Sequence, residues 1–310
     1  MKTLWETLRP TRAGRIVRAC VHAAYRVRNG VVKARNTKNI QSRVKKKYQS
    51  WRQTRYLAPM IQREHNLLLE ARETFEPDFR NAGGSPLVSV IIPTWNRGDI
   101  LAHRTIPSIL NQTHQNFEVV IVGDCCTDNT GEMIKSVNDP RIRFMNLPER
   151  GKYPVNKQAR WRVAGCVPRN KALELCKGTW IAPLDDDDMF TRDHIEILLR
   201  HAQNHNLEFV YGKLKMEIAP GVWQEKSTAR HEENINPQNS TTLFRSYIKL
   251  FRADINAWRI GMSGDRQRAR RYREAGVRMG FIDEVVAVMQ FRPGQTQPGH
   301  NAEDRPDNTM

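Results

Sequence analysis

The chain has 310 residues and a formal net charge of +17, a length that suits one large α/β domain with an appendage, or two modest domains. The charge is uneven: residues 1–63 hold seventeen Lys or Arg against the single acid Glu6, so the rest of the chain is near neutral. No window approaches eighteen uninterrupted apolar residues and the first residues lack an apolar leader, which speaks against a membrane span.

The five cysteines (Cys20, Cys125, Cys126, Cys166, Cys176) show no metal-ligand spacing and are odd in number. That fits a reduced, cytoplasmic protein, at most peripheral at the inner face of a membrane. Leu8, Ile16, Val17, Cys20, Val21 and Ala24 recur at helical spacing within the basic stretch. A basic amphipathic helix of this kind suits an anionic membrane surface. A solvated tail and a nucleic-acid arm are the alternatives, the second the weaker, and Lys45-Lys46-Lys47 fits all three. Residues 1–80 therefore read as a basic helical extension. Asn81-Ala-Gly-Gly-Ser-Pro86 reads as a linker, with the ordered sheet beginning at Leu87.

From there short β-branched apolar runs alternate with helical patterns. Strands are expected at 87–93, 117–122, 143–145, 180–184 and 208–214. Helices are expected near 99–111, 129–137, 167–176 and 192–204. This alternation implies a mostly parallel sheet with helices on both faces. The polar stretch 147–166 reads as a long loop, functional or merely solvated, whose Lys152, Arg160 and Arg162 are placed to reach phosphates. After 215 the pattern weakens. A helix at 265–275 and strands at 277–291 are the clearest elements left, and 297–310 reads as a flexible tail.

Three apolar runs end in polar signals, at the strand edge where ligands bind in an open α/β sheet. The first ends in Pro93-Thr94-Trp95-Asn96-Arg97. It carries neither Gly-x-Gly-x-x-Gly nor a P-loop, and offers hydroxyl, amide and backbone groups instead. The second ends in Gly123-Asp124-Cys125-Cys126-Thr127-Asp128. There Asp124 can accept from a base N–H or a ribose hydroxyl, and Asp128 is placed to cap the next helix. The third, Asp185-Asp186-Asp187-Asp188, follows the buried run Trp180–Leu184. On an extended segment Asp185 and Asp187 share one side. Carboxylates beside nucleotide phosphates form the hard-oxygen set that Mg²⁺ or Mn²⁺ prefers. One or two of these aspartates would bind the ion, another would contact ribose, and Asp188 is free to cap a turn.

Taken together, the three signals resemble the family 2 glycosyltransferases of the GT-A fold, closely over 87–215 and more loosely over 235–295. Ile92-Pro-Thr-Trp-Asn-Arg97 is similar to the family's strand-one turn, and Asp124 falls on its base-contacting Asp. Gly123 and Cys125-Cys126 replace the family's first Asp and its Gly-Ser. Pro168-Arg169-Asn170 matches its Ala-Arg-Asn, and Leu184-Asp-Asp-Asp-Asp188 its Leu-Asp-x-Asp-Asp. Gly264-Asp265 resembles the lead into a helix ending Ala-Gly, where inverting members keep the catalytic base.

The resemblance implies a GT-A domain over 87–296 and a nucleotide-sugar donor, expected to be a UDP-sugar. Pro93, Thr94, Asn96, Arg97, Asp124, Arg169, Asn170, Asp185 and Asp186 would hold the donor. Asp187 and Asp185 would hold Mn²⁺ or Mg²⁺, and Asp265 would be the base for an acceptor hydroxyl of a glycan, lipid-linked or protein acceptor. A capping role for Asp265 and a metal-binding role for His300 are further readings. A sugar nucleotidyltransferase is disfavoured because it needs a Gly-rich turn after strand one. A non-enzymatic sugar-nucleotide-binding protein on the same fold is the other rival.

Overall fold

The computed structural model describes residues 34–81, 84–226 and 237–291. The helical reading of 1–33, the 297–310 tail and His300 lie outside the described residues. The chain divides into two compact units, Met1–Met60 and Ile61–Met310. Among the described residues, no helix is long and apolar enough to cross a membrane.

In the second unit, nine strands among the described residues form one sheet. They are β1 (Val88–Thr94), β2 (Phe117–Gly123), β3 (Ile142–Asn146), β4 (Trp180–Pro183), β5 (Asp188–Phe190), β6 (Phe209–Ala219), β7 (Val222–Lys226), β8 (Thr242–Arg245) and β9 (Met279–Met289). Their order is β3-β2-β1-β4-β8-β6-β9-β5, with β7 paired to β6. The half β3-β2-β1-β4 is wholly parallel. In the other half β8 runs antiparallel to both β4 and β6, and β9 parallel to β6. This is the α/β architecture that the alternating pattern implies. Every residue of β1 and β2 is buried, because a parallel sheet covered on both faces has no solvent side.

Two apolar layers flank the sheet. One packs Val88, Val90 and Ile92 against Leu101, Ile106 and Ile109 of the helical stretch 98–110. The other packs Ile91, Val120 and Val122 against Ala172 and Leu173 of a helix at Cys166–Leu175. The register aligns Thr94 with Gly123, and Ile91 with Pro183. The C-terminal ends of β1, β2 and β4 therefore meet at one edge.

The compact unit begins earlier than the linker at 81–86 suggests. The helix Ala34–Asn81 contributes Leu68 and Ala71 to the second apolar layer, with Ile61 against it. Its charged residues on the same stripe are spoken for. Glu64 is 6% exposed and Arg271 1%, and Arg271 Nε donates to Glu64 at 2.9 Å. Arg271 also reaches Arg252 O and Gln267 Oε1, each at 2.9 Å. Arg72 grips Glu208 with both ends of its fork at 2.7 Å. The Tyr247 hydroxyl and the Arg278 N–H complete that carboxylate's shell, also at 2.7 Å. Burial pushes the Glu208 carboxyl up, but these donors outweigh it and hold the group below the usual range. Composition marks this helix as tail because its partners lie 136 to 207 residues further on.

Breaking one partner of a buried ion pair strands the other charge, at about 3–5 kcal/mol. Arg271→Met is expected to lose about that much in urea unfolding. The double variant Glu64→Leu/Arg271→Met should recover part of it, because no buried charge is then left unpaired. Equal losses in the single and double variants would contradict a buried pair.

Candidate active site

The turns after β1 and β2 are clasped to each other. Asn96 and Cys125 both adopt left-handed backbone, at φ 53° and 58°. Asn96 Oδ1 accepts from Thr127 N–H at 2.9 Å, and its Nδ2 donates to Thr127 Oγ1 at 3.2 Å. The Arg97 N–H donates to Thr130 Oγ1 at 3.0 Å. Gly98 is required next, since a Cβ there would lie 2.8 Å from Thr130 Cα. Asn96 and Arg97 thus fasten the two turns, and neither lines the cleft. Asn170 also lies off the cleft. Its amide makes a reciprocal pair with the Ala253 backbone, at 2.9 and 2.8 Å.

The cleft at the strand ends has a volume of about 470 Å³, and it brings together Pro93, Thr94, Asp124, Arg169, Asp185, Asp186, Asp187 and Asp265. Asp124 is 3% exposed and accepts from Gly151 N–H at 3.0 Å. Arg150 Nε stands 3.9 Å from its other oxygen and the guanidinium lies over Trp95, 3.5 Å from the ring centre. Trp95 and Arg150 line the cleft beside Asp124 and were not singled out from sequence. Asp128 does what its position suggests, with Oδ1 accepting from Thr130 N–H at 3.0 Å in the first turn of the helix Thr130–Ser136.

The aspartate run is fixed residue by residue. Thr94 Oγ1 donates to Asp186 Oδ2 at 2.8 Å, and Thr105 Oγ1 to Asp186 O at 3.1 Å. Arg104 donates to Asp187 O and, at 3.1 Å, to Phe291 O. Arg104 and Thr105 reach successive carbonyls from a π-turn at Leu101–Thr105, a wider coil common at functional sites. The Ser240 hydroxyl accepts from Asp185 N–H at 3.1 Å and donates to Asp188 Oδ2 at 2.5 Å. Asp188 is no turn cap. It sits in β5, 1% exposed, and burial, followed by Asp187 and Asp185, pushes its carboxyl well up. Nothing in the sequence around 238–241 marks Ser240.

Arg169 is the centre of the site. Its side chain is 6% exposed, donating to Asp265 Oδ1 at 2.9 Å and Asp185 Oδ1 at 3.1 Å. Asp185 and Asp265 keep 37% and 34% of their side chains open to the cleft. Desolvation at the cleft floor pushes the Asp185 carboxyl up to about 7. Arg169 pulls the other way, and Asp265, Asp187 and Asp186 add to the rise. Asp265 lies in the first turn of the helix Gly264–Ala275, but Ser263 caps that helix, accepting from Arg266 N–H at 3.4 Å. The carboxylate of Asp265 is therefore turned to Arg169 and the cleft and not to the helix end.

Among the described residues, no three His, Cys, Asp or Glu side chains converge as a metal cage. A hard cation held by one or two carboxylates and a diphosphate needs none. Asp187 and Asp185 both line the cleft, on the floor that Arg104 and Ser240 fix.

The family model described as glycosyl transferase family 2 matches residues 89–260, more than half of the chain. The poly(ribitol-phosphate) beta-N-acetylglucosaminyltransferase TarP of Staphylococcus aureus is 30% identical over 54% of this chain and 49% of its own length. The chondroitin synthase of Pasteurella multocida is 36% identical over 56% of this chain and 17% of its own. The chain spans about half the length, or less, of the curated relatives it matches. The crystal structure of S. aureus TarS superposes with a TM-score of 0.52 at 20% identity, covering 66% of this chain and 37% of that one. That likeness speaks for the fold alone.

Removing Arg169 leaves two carboxylates facing each other without their shared donor. Arg169→Met is expected to cost about 1–3 kcal/mol in urea unfolding at pH 7. The loss should shrink as the pH falls below about 7, the value to which the Asp185 carboxyl is raised, because protonation removes the charge that Arg169 no longer meets. A cost that does not change with pH would contradict this electrostatic account.

Proposed function

The chain belongs to glycosyl transferase family 2, and on that premise we propose that it transfers a sugar from a UDP-sugar to an acceptor hydroxyl with inversion and with the help of a divalent metal. The observation that carries this reading is Arg169 holding Asp185, on the metal-motif floor, and Asp265, at the head of the helix Gly264–Ala275, on one guanidinium. Two carboxylates of one cleft are thereby held together, which supports reading Asp185 as donor-side and Asp265 as the base. S. aureus TarS 1-349 has been crystallised with UDP and with UDP-GlcNAc, which supports a uridine nucleotide as the donor carrier here.

On this reading Asp124 receives the base, with Trp95 and Arg150 as its wall. Thr94 and Asp186 set the ribose end. Mn²⁺ or Mg²⁺, held by Asp187 and Asp185, would offset the charge on the departing diphosphate. Asp265 takes the acceptor's hydroxyl proton as the new C–O bond forms at the anomeric carbon. The bond to the diphosphate breaks on the opposite face, so a donor linked α yields a β product.

The test is release of nucleoside diphosphate from a panel of nucleotide-sugars with Mn²⁺. Asp187→Ala should abolish metal-dependent UDP binding in calorimetry with the melting temperature kept. Asp265→Asn should keep UDP affinity and lose transfer by roughly 10²–10⁴-fold, the worth of a general base. Normal transfer in that variant would remove the proposed base.

The first unit supports a second assignment, attachment to an anionic membrane surface. Lys45, Lys46, Lys47, Arg52 and Arg55 are exposed. Tyr48 and Trp51 stack at 5.9 Å, with Arg55 lying 5.5 Å over Trp51. Amphipathic rings between cations suit a headgroup layer. Each Lys or Arg near such a surface adds on the order of 1 kcal/mol. The full chain should sediment with anionic vesicles, less so at high salt, and a chain lacking residues 1–60 should not. Equal sedimentation of the two would exclude this role.

A further inference from the structure

The cleft has two unlike walls. The strand-edge side carries Asp124 and Asp185–Asp187. Another part of the lining comes from the stretch 147–166, with Tyr153, Arg160, Trp161 and Arg162. Its short helix Lys157–Trp161 is capped by Asn156, whose side chain accepts from Ala159 N–H at 2.9 Å. Arg160 stiffens the approach to that helix, donating to Pro154 O at 3.3 Å and Val155 O at 3.1 Å.

The end of this wall is joined to the start of the helix that carries Asp265. Arg162 O accepts from Gly264 N–H at 2.8 Å, and Arg162 Nη1 donates to Gly261 O at 3.0 Å. Arg160, Trp161 and Arg162 all line the cleft, and the Trp161 ring keeps 42% of its surface exposed. An exposed indole and two guanidinium side chains thus line the same cleft as the proposed base. The other arginines of the cleft have different engagements. Arg169 holds Asp185 and Asp265, and Arg150 lies over Trp95 beside Asp124.

The geometry points to residues 160–162 as an acceptor subsite for an anionic glycan, one whose sugar ring lies on Trp161 and whose carboxylate or phosphate meets Arg160 and Arg162. This rests on the reading of Asp265 as the base, because the acceptor must approach from that side. A guanidinium fork matches both oxyanions, and a flat indole offers an apolar face with a polar edge for a ring substrate.

The experiment reads binding without turnover, so a failed donor panel and a failed subsite are separate results. The full chain is titrated, with UDP and Mn²⁺ present, with trigalacturonate, with a short glycerol-phosphate oligomer and with neutral maltotriose. At least one anionic oligomer should bind ten or more times tighter than maltotriose, and which one does so identifies the anion. Trp161→Ala and Arg162→Gln should each weaken that binding about tenfold, and Trp161→Phe should restore most of it. All variants keep the basic first unit, so differences among them report the wall. Maltotriose binding as tightly as the anions, no anion bound, or variants that bind like the parent would overturn the subsite. So would an equal loss of UDP affinity, which would assign the wall to the donor.

Discussion

The site depends on one guanidinium. Arg169 sits almost wholly beneath a floor lined by Asp124, Asp185, Asp186, Asp187 and Asp265. Carboxylates gathered at low exposure repel and desolvate one another, and such an edge persists only if fixed positive charge or donors meet each of them. Arg169 serves Asp185 and Asp265, Thr94 serves Asp186, Ser240 serves Asp188, and the Gly151 N–H with nearby Arg150 serves Asp124. Asp124, Asp185, Asp186, Asp188 and Asp265 are thus each held at one or two side-chain atoms.

Much of this was legible in the sequence for a simple reason. Buried parallel strands are short continuous apolar runs, and the polar residues that end them fall at the edge where the sheet binds ligands. Pro93, Thr94, Asp124, Asp185, Asp186, Asp187 and Asp265 were placed by that logic and by the family likeness, and all of them line one cleft. Asn96, Arg97 and Asn170 share the motifs but not the cleft, because a motif records which residues accompany a site without separating those that touch ligand from those that hold the turns. Their amide and backbone groups are taken by Thr127, Thr130 and Ala253.

What escaped the sequence shares a physical cause as well. Ser240, Arg104 and the Arg150–Trp95 pair act on partners 52, 83 and about 55 positions away, at spacings with no periodicity to reveal them. The stripe Ile61, Glu64, Leu68, Ala71, Arg72 has helical period, yet its mixed charge reads as solvent-facing. Only the fold shows that Arg271 and Glu208 lie opposite. Compositional boundaries mark where a chain becomes flexible or polar. They do not mark where burial begins.

That early helix sets an order of events for a growing chain. Residues 61–76 are made early, with Arg72 and Glu64 bound for the interior, and their counterparts Glu208 and Arg271 follow 136 and 207 positions later. Part of the apolar layer that the helix joins, including Tyr211, Phe244 and Tyr272, is also late. The unit therefore closes by its last-made elements returning to its first, a topology with high sequence separation that folds slowly and leaves apolar surface open during synthesis.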